Sequence, residues 1–281
     1  MTAPAGPGSA TRVFALLGDP VRHSRSPAFQ NAAIRHAGID AVYVALASAA
    51  QDVPALMRTL VRSGGGGNVT VPHKAAAAAC LDRASHLVRR TGACNTFWGD
   101  GNDLCGENTD VAGFTAAANA LLPVLRGGRV LIMGAGGGAA AAVCALLDAG
   151  AGRVTLLNRT PARARDLAAR LDPHARTVEV AVPDGSLAAR TFDLVVNATS
   201  LGLHTNDGLP LDLRVVGEVR GALDLVCGTG GETPWVRHAR DLGVPAADGS
   251  AMLLAQGAAA FRLWFGVEPP NTVMEAALRN G

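Results

Sequence analysis

The chain has 281 residues, of which 49% are hydrophobic and 17% are charged, and its formal net charge is +2. A chain of this length can form one large domain or two modest ones, and its composition excludes an intrinsically disordered protein. The small net charge provides no electrostatic basis for binding nucleic acid or a membrane surface, and no apolar run is long enough to span a bilayer.

The N-terminal residues and the cysteines indicate the compartment in which the protein works. Residues 1–11 lack the apolar stretch of a signal peptide, so we expect them to form a disordered tail. The five cysteines are scattered along the chain without a CxxC pair. Such a set is typical of reduced thiols in a cytoplasmic protein rather than of disulfides or a zinc site. The sequence therefore predicts a cytoplasmic protein that binds no metal.

The first part of the chain alternates short apolar runs with helical segments. Ser26 and Pro27 are typical of a helix N-cap and first turn, and Gly38 is typical of the residue after a helix end. Because strands that are joined through helices pair in parallel, the alternation predicts a mostly parallel sheet. The predicted elements in this part are strand 13–17, helix 28–37, strand 41–46, helix 52–61, strand 67–71 and helix 74–81.

The second part of the chain continues the alternation and predicts a Rossmann-type domain. Domain borders near Asp110 and Asp248 give a first α/β domain of residues 1–110 plus 249–281 and a Rossmann domain of residues 111–248. The C-terminal helices would return to the first domain. The predicted elements are helix 114–122, strand 129–133, helix 139–149, strand 154–157, helix 166–171, strands 194–197 and 222–226, and helix 251–265.

A glycine-rich turn follows the strand at 129–133 and opens the next helix. It fits the pattern GxGxxG/A, in which the first glycine permits a tight turn and the second lets the backbone approach a pyrophosphate. The amide groups at the start of the helix supply an anion site. The sequence therefore predicts a dinucleotide site formed by Gly134, Ala135, Gly136, Gly137, Gly138 and Ala139.

The end of the next strand indicates which dinucleotide binds. An NAD site usually places an acidic residue there to hold the ribose hydroxyls. This chain instead has Asn158, Arg159 and Thr160 at that point, and Arg163 follows in the next helix. Since an arginine can pair with a 2′-phosphate that a carboxylate would repel, the sequence predicts NADP as the cofactor.

The 25 basic residues of the chain include only one lysine, Lys74. Arginine keeps its proton near neutral pH, whereas a lysine can release one if its site lowers its pKa. Because the chain uses arginine at every other basic position, we interpret Lys74 as a candidate for proton transfer. The alternative is one surface lysine that is present by chance. The sequence also leaves open whether Lys74 transfers a proton or acts mainly as a positive charge.

The first domain carries polar clusters in its predicted loops and strand ends. Hydroxyl and carboxamide groups dominate them, together with Lys74 and Asp110. Such groups both donate and accept hydrogen bonds, which suits a small polyhydroxylated substrate, although single Ser, Thr and Asn residues are also common in turns. The clusters are residues 23–27, 68–74, 92–96 and 106–110.

These clusters, in this order, resemble those of the shikimate dehydrogenase family. The second part of the chain adds further matching motifs, so the resemblance spans nearly the whole chain. It implies an NADP-dependent enzyme that reversibly reduces 3-dehydroshikimate to shikimate. The matching segments are 18–31, 68–74, 92–96, 108–110, 134–139, 158–160, 197–202, 233–234 and 249–256.

The resemblance also implies roles for single residues toward the substrate. Lys74 and Asp110 would form the catalytic pair, in which Asp110 mainly positions the amine. Ser24 and Ser26 would bind the substrate carboxylate. The residues that would hold its hydroxyls are Asn68, Thr70, Asn95 and Gln256.

Toward the cofactor, the resemblance implies three further residues. Thr199 would line the cofactor cleft, and Gly249 and Met252 would lie near the nicotinamide. The predicted partner is thus a small-molecule substrate, with neither nucleic acid nor membrane. The sequence leaves a monomer and a homodimer equally open.

Two features depart from the family pattern. Cys227 stands where the family commonly has a tyrosine that contacts the substrate, and a thiol is a smaller and weaker hydrogen-bond donor. A substrate hydrogen bond of ~1 kcal/mol would then be missing. The glycine run at residues 64–67 is also unusual, and we expect it to loosen the loop before Asn68.

These observations leave two alternatives to a shikimate dehydrogenase. Cys227 favours a paralogue that acts on quinate or aminoshikimate. A metabolite-binding regulator that has lost the chemistry is the second alternative. It would be expected to lack Lys74 or Asp110, and both are present.

Overall fold

The computed structural model describes residues 6–123, 125–182, 186–204, 206–228 and 232–280. These residues form two compact units. The first unit comprises the chain up to Thr109 and from Gln256 onward, and the second unit runs from Asp110 to Ala255. Residues 1–5 of the predicted tail lie outside the described residues.

The first part of the chain forms one mixed sheet. Its elements are β1 (Arg12–Gly18), α1 (Ser26–His36), β2 (Ala41–Ala47), α2 (Val53–Arg62), β3 (Gly66–Val69), α3 (Lys74–Ala79), β4 (Arg83–Ala84), α4 (His86–Thr91), β5 (Thr96–Asp100) and β6 (Asp103–Glu107). The strand order is β2-β1-β3-β5-β6-β4. The strand β1 pairs in parallel with β2 and β3, whereas β5 pairs antiparallel with β3 and β6.

The second part of the chain forms a sheet in which all neighbouring strands are parallel. Its elements are α5 (Asp110–Leu121), β7 (Arg129–Met133), α6 (Gly137–Asp148), β8 (Arg153–Leu157), α7 (Pro161–Leu171), β9 (Val178–Ala181), β10 (Leu194–Asn197), β11 (Ala222–Asp224), α8 (Pro234–Asp241), β12 (Ala246–Ala247), α9 (Ser250–Phe265) and α10 (Asn271–Asn280). The strand order is β12-β11-β10-β7-β8-β9. Because parallel neighbours share a direction, the carboxyl ends of β7, β10 and β11 all lie at the same end of the sheet.

The α/β class and the long elements predicted from the sequence are confirmed, but the first sheet is less regular than predicted. The prediction missed the antiparallel strands β5 and β6, which form a hairpin. Both strands contain glycine and aspartate, which are uncommon in strands, and the strand-favouring run in β5 is only three residues long, Thr96 to Trp98. The short elements β4, α4, β9, α8 and β12 and the helix α10 were also missed.

The start of α1 differs from the prediction. Arg25, rather than Ser26, is the N-cap, and Ser26 is already helical. The amide of Ser26 donates to the hydroxyl oxygen of Ser24 at 3.2 Å, so Ser24 supplies the acceptor that we had expected from Ser26. Gly38 follows the helix end with a φ of +66°, as predicted for a residue in the left-handed region.

The boundary of the second unit near the C-terminus lies inside α9. This helix begins at Ser250, and the division between the units falls after Ala255 rather than near Asp248. Because α9 is one continuous helix, it starts in the second unit and ends in the first. None of the described helices combines the length and the apolar character that crossing a membrane requires.

The glycine run before Asn68 is tightly packed, which contradicts the loose loop expected from the sequence. A Cβ atom on Gly65 would lie 1.9 Å from the carbonyl oxygen of Val13, and one on Gly67 would lie 2.0 Å from that of Ala15. Both distances are shorter than any real contact. The glycines therefore let β3 approach β1 closely, and this approach fixes the position of Asn68.

We expect Gly67→Ala to lower the free energy of unfolding by about 1–3 kcal/mol, because an added methyl group in a close-packed interior forces the neighbouring backbone to move. Urea denaturation followed by circular dichroism measures this change. Gly8→Ala is the matched control, since a Cβ atom on Gly8 would meet nothing within 4 Å. A Gly67→Ala protein as stable as the wild type would contradict the packing described here.

Candidate active site

A chain of buried side-chain hydrogen bonds forms the candidate substrate site of the first unit. Asn95 donates through Nδ2 to Thr109 Oγ1 at 3.0 Å and to Gln256 Oε1 at 3.4 Å. The Oδ1 atom of Asn95 accepts from the Thr109 amide at 2.7 Å. Asn68 donates through Nδ2 to the Asn95 carbonyl at 3.0 Å. The structure thus brings together Asn68, Asn95 and Gln256, three of the residues predicted to hold substrate hydroxyls.

The carboxamide of Asn68 is nearly saturated by the protein. Its second Nδ2 hydrogen goes to Thr96 Oγ1 at 2.9 Å, and its Oδ1 accepts from the Tyr43 hydroxyl at 2.7 Å. Burial raises the pKa of Tyr43 above its ordinary value, so the hydroxyl keeps the proton that it donates. Asn68 is left with one lone pair on Oδ1. It can accept a hydrogen bond from a ligand hydroxyl but cannot donate one.

Three residues of this network were missed as site residues by the sequence reasoning. Thr96 and Thr109 stand next to the predicted Asn95 and Asp110 in the motifs, but single threonines are also common in turns. Tyr43 is the only tyrosine of the chain, and that rarity was the available signal. All three are buried and hydrogen-bonded to a predicted residue, so they hold the predicted residues in place.

The two serines predicted to bind a carboxylate lie together before and at the start of α1. Ser26 is buried and Ser24 is half-buried, and their hydrogen bond places both at the same turn. Thr70 follows β3 directly, and its amide donates to the Leu17 carbonyl at 2.8 Å. Thr70 is half-buried. These three residues all come from ends of strands and helices in the first unit.

Lys74 and Asp110 are each the first residue of a helix, α3 and α5 respectively. The backbone at Lys74 is anchored on both sides. Its carbonyl accepts from the Cys94 amide at 2.9 Å, and the preceding His73 donates from Nε2 to the Ser48 carbonyl at 2.7 Å. Asp110 is buried and belongs to the second unit, whereas Lys74 belongs to the first. Their catalytic pairing stays a prediction.

The glycine-rich turn uses its glycines for different reasons. Gly134 has a φ of +113°, and a Cβ atom there would lie 2.7 Å from the Ala198 carbonyl oxygen, so only glycine fits. Gly136 is the N-cap of α6 with a φ of −91°, and a Cβ atom there would meet nothing within 4 Å. The described protein therefore does not itself require glycine at Gly136. A pyrophosphate that approaches this backbone does require it, which fits a dinucleotide.

The loop after β8 offers uncompensated positive charge. Asn158 donates through Nδ2 to the Thr160 carbonyl at 2.8 Å, which closes a turn at the start of α7. Arg159 and Arg163 are exposed. Within the part of the chain that the structure describes, no carboxylate forms an ion pair with either arginine. This arrangement fits the 2′-phosphate of NADP.

The remaining predicted cofactor residues lie at the ends of β10 and β12. Thr199 donates from both its amide and its hydroxyl to Asn197 Oδ1, at 3.0 and 2.7 Å. The Gly249 amide donates to the Val226 carbonyl at 2.9 Å. Met252 is buried in the first turn of α9. The structure thus anchors Thr199 and Gly249 through hydrogen bonds within the second unit.

Cys227, which departs from the family pattern, also has a polar neighbour. Its Sγ atom lies 3.2 Å from the hydroxyl oxygen of Ser250. That hydroxyl donates to Asp248 Oδ2 at 3.1 Å, and the Ser250 amide donates to Asp248 Oδ1 at 3.1 Å. The thiol therefore faces a serine that a carboxylate holds in place.

Three family models match the chain. The model of the shikimate dehydrogenase substrate-binding domain matches residues 16–97. The model of shikimate/quinate 5-dehydrogenase matches residues 116–204, and that of the shikimate 5′-dehydrogenase C-terminal domain matches residues 249–279. Together they cover most of both units.

Individual relatives agree with these models. The NADP(+) shikimate dehydrogenase of Geobacter sulfurreducens is 39% identical over 276 residues, which are 96% of either chain. The Thermus thermophilus shikimate 5-dehydrogenase, solved with NADP(H) and shikimate, is 37% identical with a TM-score of 0.84 over 96% of this chain and 99% of that one. Quinate dehydrogenase from Corynebacterium glutamicum, solved with NAD, is 29% identical with a TM-score of 0.85 over 96% and 99% of the two chains. The chain belongs to the shikimate dehydrogenase family.

Proposed function

We propose that this protein is an NADP-dependent shikimate dehydrogenase, which reversibly reduces 3-dehydroshikimate to shikimate. The observation that carries the proposal is the buried cluster of Asn68, Asn95 and Gln256, which gathers carboxamides from three distant segments. Such a cluster suits a ligand with several hydroxyl groups. Family membership supports the choice of shikimate as that ligand, because the named relatives include shikimate dehydrogenases.

The first unit is proposed to bind the substrate. Ser24 and Ser26 hold the carboxylate, with two hydroxyls at one turn. Asn68 accepts a hydrogen bond from a ring hydroxyl through its remaining lone pair on Oδ1. The other residues proposed to hold ring hydroxyls are Thr70, Asn95 and Gln256.

The second unit is proposed to bind NADP, which supplies or accepts the hydride when it is bound. The amides of the glycine-rich turn hold the pyrophosphate at the N-terminus of α6. Arg159 and Arg163 bind the 2′-phosphate, with Asn158 and Thr160 shaping the loop. Thr199 is proposed to line the cofactor cleft, and Gly249 and Met252 are proposed to lie near the nicotinamide.

Lys74 is proposed to stabilise the negative charge that the reaction creates and to transfer the proton. When a ketone is reduced, negative charge builds on its oxygen, and a nearby ammonium group stabilises that charge. Lys74 then donates a proton from Nζ to this oxygen, and in the reverse direction Nζ accepts it. Asp110 orients the amine. Arginine cannot replace Lys74 in this step, because it keeps its proton near neutral pH.

Quinate is the second candidate substrate, and Cys227 is the observation that favours it. A thiol occupies less space than the phenol that is common in the family at this position. Ser250, whose hydroxyl lies 3.2 Å from the thiol, adds a polar group nearby. A substrate with an additional hydroxyl would find room and a partner there.

We propose that the enzyme works in the cytoplasm, as a monomer or homodimer. Its partner is a small-molecule substrate, and it does not bind nucleic acid. Five scattered cysteines without a CxxC pair are compatible with a reducing compartment.

An initial-rate panel tests the proposed function. Shikimate and quinate are each offered with NADP and with NAD, and the absorbance of the reduced cofactor is followed. We expect shikimate with NADP to give the highest kcat/KM. A higher kcat/KM with quinate would identify quinate as the preferred substrate instead. No turnover with any of the four pairs would overturn the proposal.

Replacing Lys74 tests the proposed chemistry. We expect Lys74→Met to reduce kcat by about 10²–10⁴-fold, because general acid–base catalysis contributes that much. Lys74→Arg is expected to be similarly impaired, since it keeps the charge but cannot transfer the proton. Both variants should keep the thermal midpoint of the wild type. Near-normal turnover by Lys74→Met would remove Lys74 from the mechanism, and full activity of Lys74→Arg would assign it a purely electrostatic role.

Replacing Arg159 tests the choice of cofactor. We expect Arg159→Ala to raise the KM for NADP about tenfold or more, because a hydrogen bond to a charged phosphate is lost. The KM for NAD should hardly change, since NAD lacks the 2′-phosphate. Arg170→Ala is the matched control, as Arg170 is an exposed arginine in the last turn of α7, the helix that follows Arg159. Equal increases for both cofactors would contradict the phosphate contact.

A further inference from the structure

The carboxylate of Asp224 is buried, and no described basic side chain is paired with it. This residue ends β11 and is fully buried. Among the described residues, no basic side chain forms an ion pair with it. Burial raises the pKa of Asp224 above its ordinary value, although its hydrogen bonds oppose this effect. Burying a carboxylate costs free energy unless its oxygens accept hydrogen bonds. The donors of these bonds therefore show which segments Asp224 holds together.

Asp224 joins three segments through its hydrogen bonds. Its Oδ1 accepts from Asn197 Nδ2 at 2.8 Å and from the Val226 amide at 3.0 Å. Its Oδ2 accepts from Thr233 Oγ1 at 2.6 Å. The same threonine hydroxyl accepts from the Val236 amide at 3.2 Å and so caps α8. One carboxylate therefore connects the end of β10, the chain after β11 and the start of α8.

Asp224 also fixes the orientation of the Asn197 carboxamide. A carboxylate only accepts hydrogen bonds, so the NH₂ group of Asn197 must face it. The opposite end, Oδ1, then faces Thr199 and accepts from both its amide and its hydroxyl. The Nδ2 atom also donates to the Leu201 carbonyl at 3.0 Å, and the Leu201 amide donates to Thr199 Oγ1 at 3.1 Å. The loop that carries Thr199 thus depends on Asp224 through Asn197.

The segments that Asp224 joins support two further parts of the proposed cofactor site. The carbonyl of Ala198 lies against Gly134, and 2.7 Å would separate its oxygen from a Cβ atom there. On the other side, the Gly249 amide donates to the Val226 carbonyl. These contacts lie at the carboxyl ends of β7, β10 and β11. Open α/β sheets bind ligands at the carboxyl ends of their strands.

We infer that Asp224 is a positioning residue of the NADP site, which holds Thr199, Gly134 and Gly249 in place through Asn197 and Val226. It touches none of these three residues through its own carboxylate oxygens. The inference rests on the proposed function of the second unit. It assigns to Asp224 an effect on cofactor affinity and none on the substrate residues of the first unit.

Asp224→Asn tests this inference, because it keeps the shape of the side chain while replacing one acceptor oxygen by a donor. We expect the Kd for NADPH to rise about tenfold, because one of the buried hydrogen bonds that the Asp224 carboxylate accepts is lost. Calorimetric titration without substrate measures this Kd. The KM for shikimate should stay within about twofold of the wild type, because no residue of the first unit is altered. Equal changes for both ligands, or an unchanged Kd for NADPH, would overturn the inference.

Asp172→Asn is the matched control in the same unit. Asp172 also accepts hydrogen bonds from two backbone amides, those of Thr177 and Val178. It lies before β9, however, which is the outermost strand on the side of the sheet away from β11. We expect it to lower the thermal midpoint and to leave the Kd for NADPH unchanged. A rise in that Kd equal to that of Asp224→Asn would reduce Asp224 to a purely structural role.

A second pair of variants covers the case in which Asp224→Asn does not fold. Thr233→Val removes only the hydroxyl that contacts Asp224 and caps α8, and Thr233→Ser restores it. We expect the valine variant to weaken NADPH binding and the serine variant to bind as the wild type does. Equal binding by both would overturn the inference. A wild type that binds NADPH but does not oxidise shikimate would overturn the proposed substrate alone, whereas a wild type without NADPH binding would overturn both.

Discussion

The need of buried polar groups for hydrogen-bond partners organises both units of this protein. In the first unit, Asn68 and Asn95 satisfy each other and their neighbours, and in doing so they join segments that are far apart in the sequence. In the second unit, Asn197 and Asp224 do the same for the loops after β10 and β11. A carboxamide that is held at both ends keeps one orientation. The candidate site residues are therefore held by further buried side chains, such as Tyr43, Thr96 and Asp224, that are not themselves proposed to bind a ligand.

Much of the fold could be predicted from the sequence, because its strongest signals are local. The strand before Gly134 and the alanine-rich helix after it were predicted from one apolar run and one glycine pattern. The hairpin of β5 and β6 was missed because glycine and aspartate interrupt both strands, although the two strands are adjacent in the sequence. The glycine run beside Asn68 was misinterpreted because its role depends on tertiary contacts. Its cause is the carbonyl groups of β1, which a local pattern does not reveal.

The candidate site could be predicted residue by residue where a motif names it, but its supporting contacts could not. The sequence identified Asn95 and Gln256, which the fold brings into contact across 161 positions of the chain. It gave no reason to connect Tyr43 with Asn68, or Thr233 with Asp224, because each pair depends on tertiary structure. It also could not show that Asn68 acts only as an acceptor. That property follows because both Nδ2 hydrogens of Asn68 and one lone pair of its Oδ1 are already used in hydrogen bonds within the protein.

The carboxamide cluster and Lys74 are proposed to form one shikimate site. A crystal structure of the protein with shikimate and NADP would test this site. We expect the carboxylate of shikimate at Ser24 and Ser26, a ring hydroxyl within hydrogen-bond distance of Asn68 Oδ1, and Nζ of Lys74 at the hydroxyl oxygen of the carbon that is oxidised. Shikimate bound in the first unit away from Lys74, or bound outside the carboxamide cluster, would contradict the proposed site.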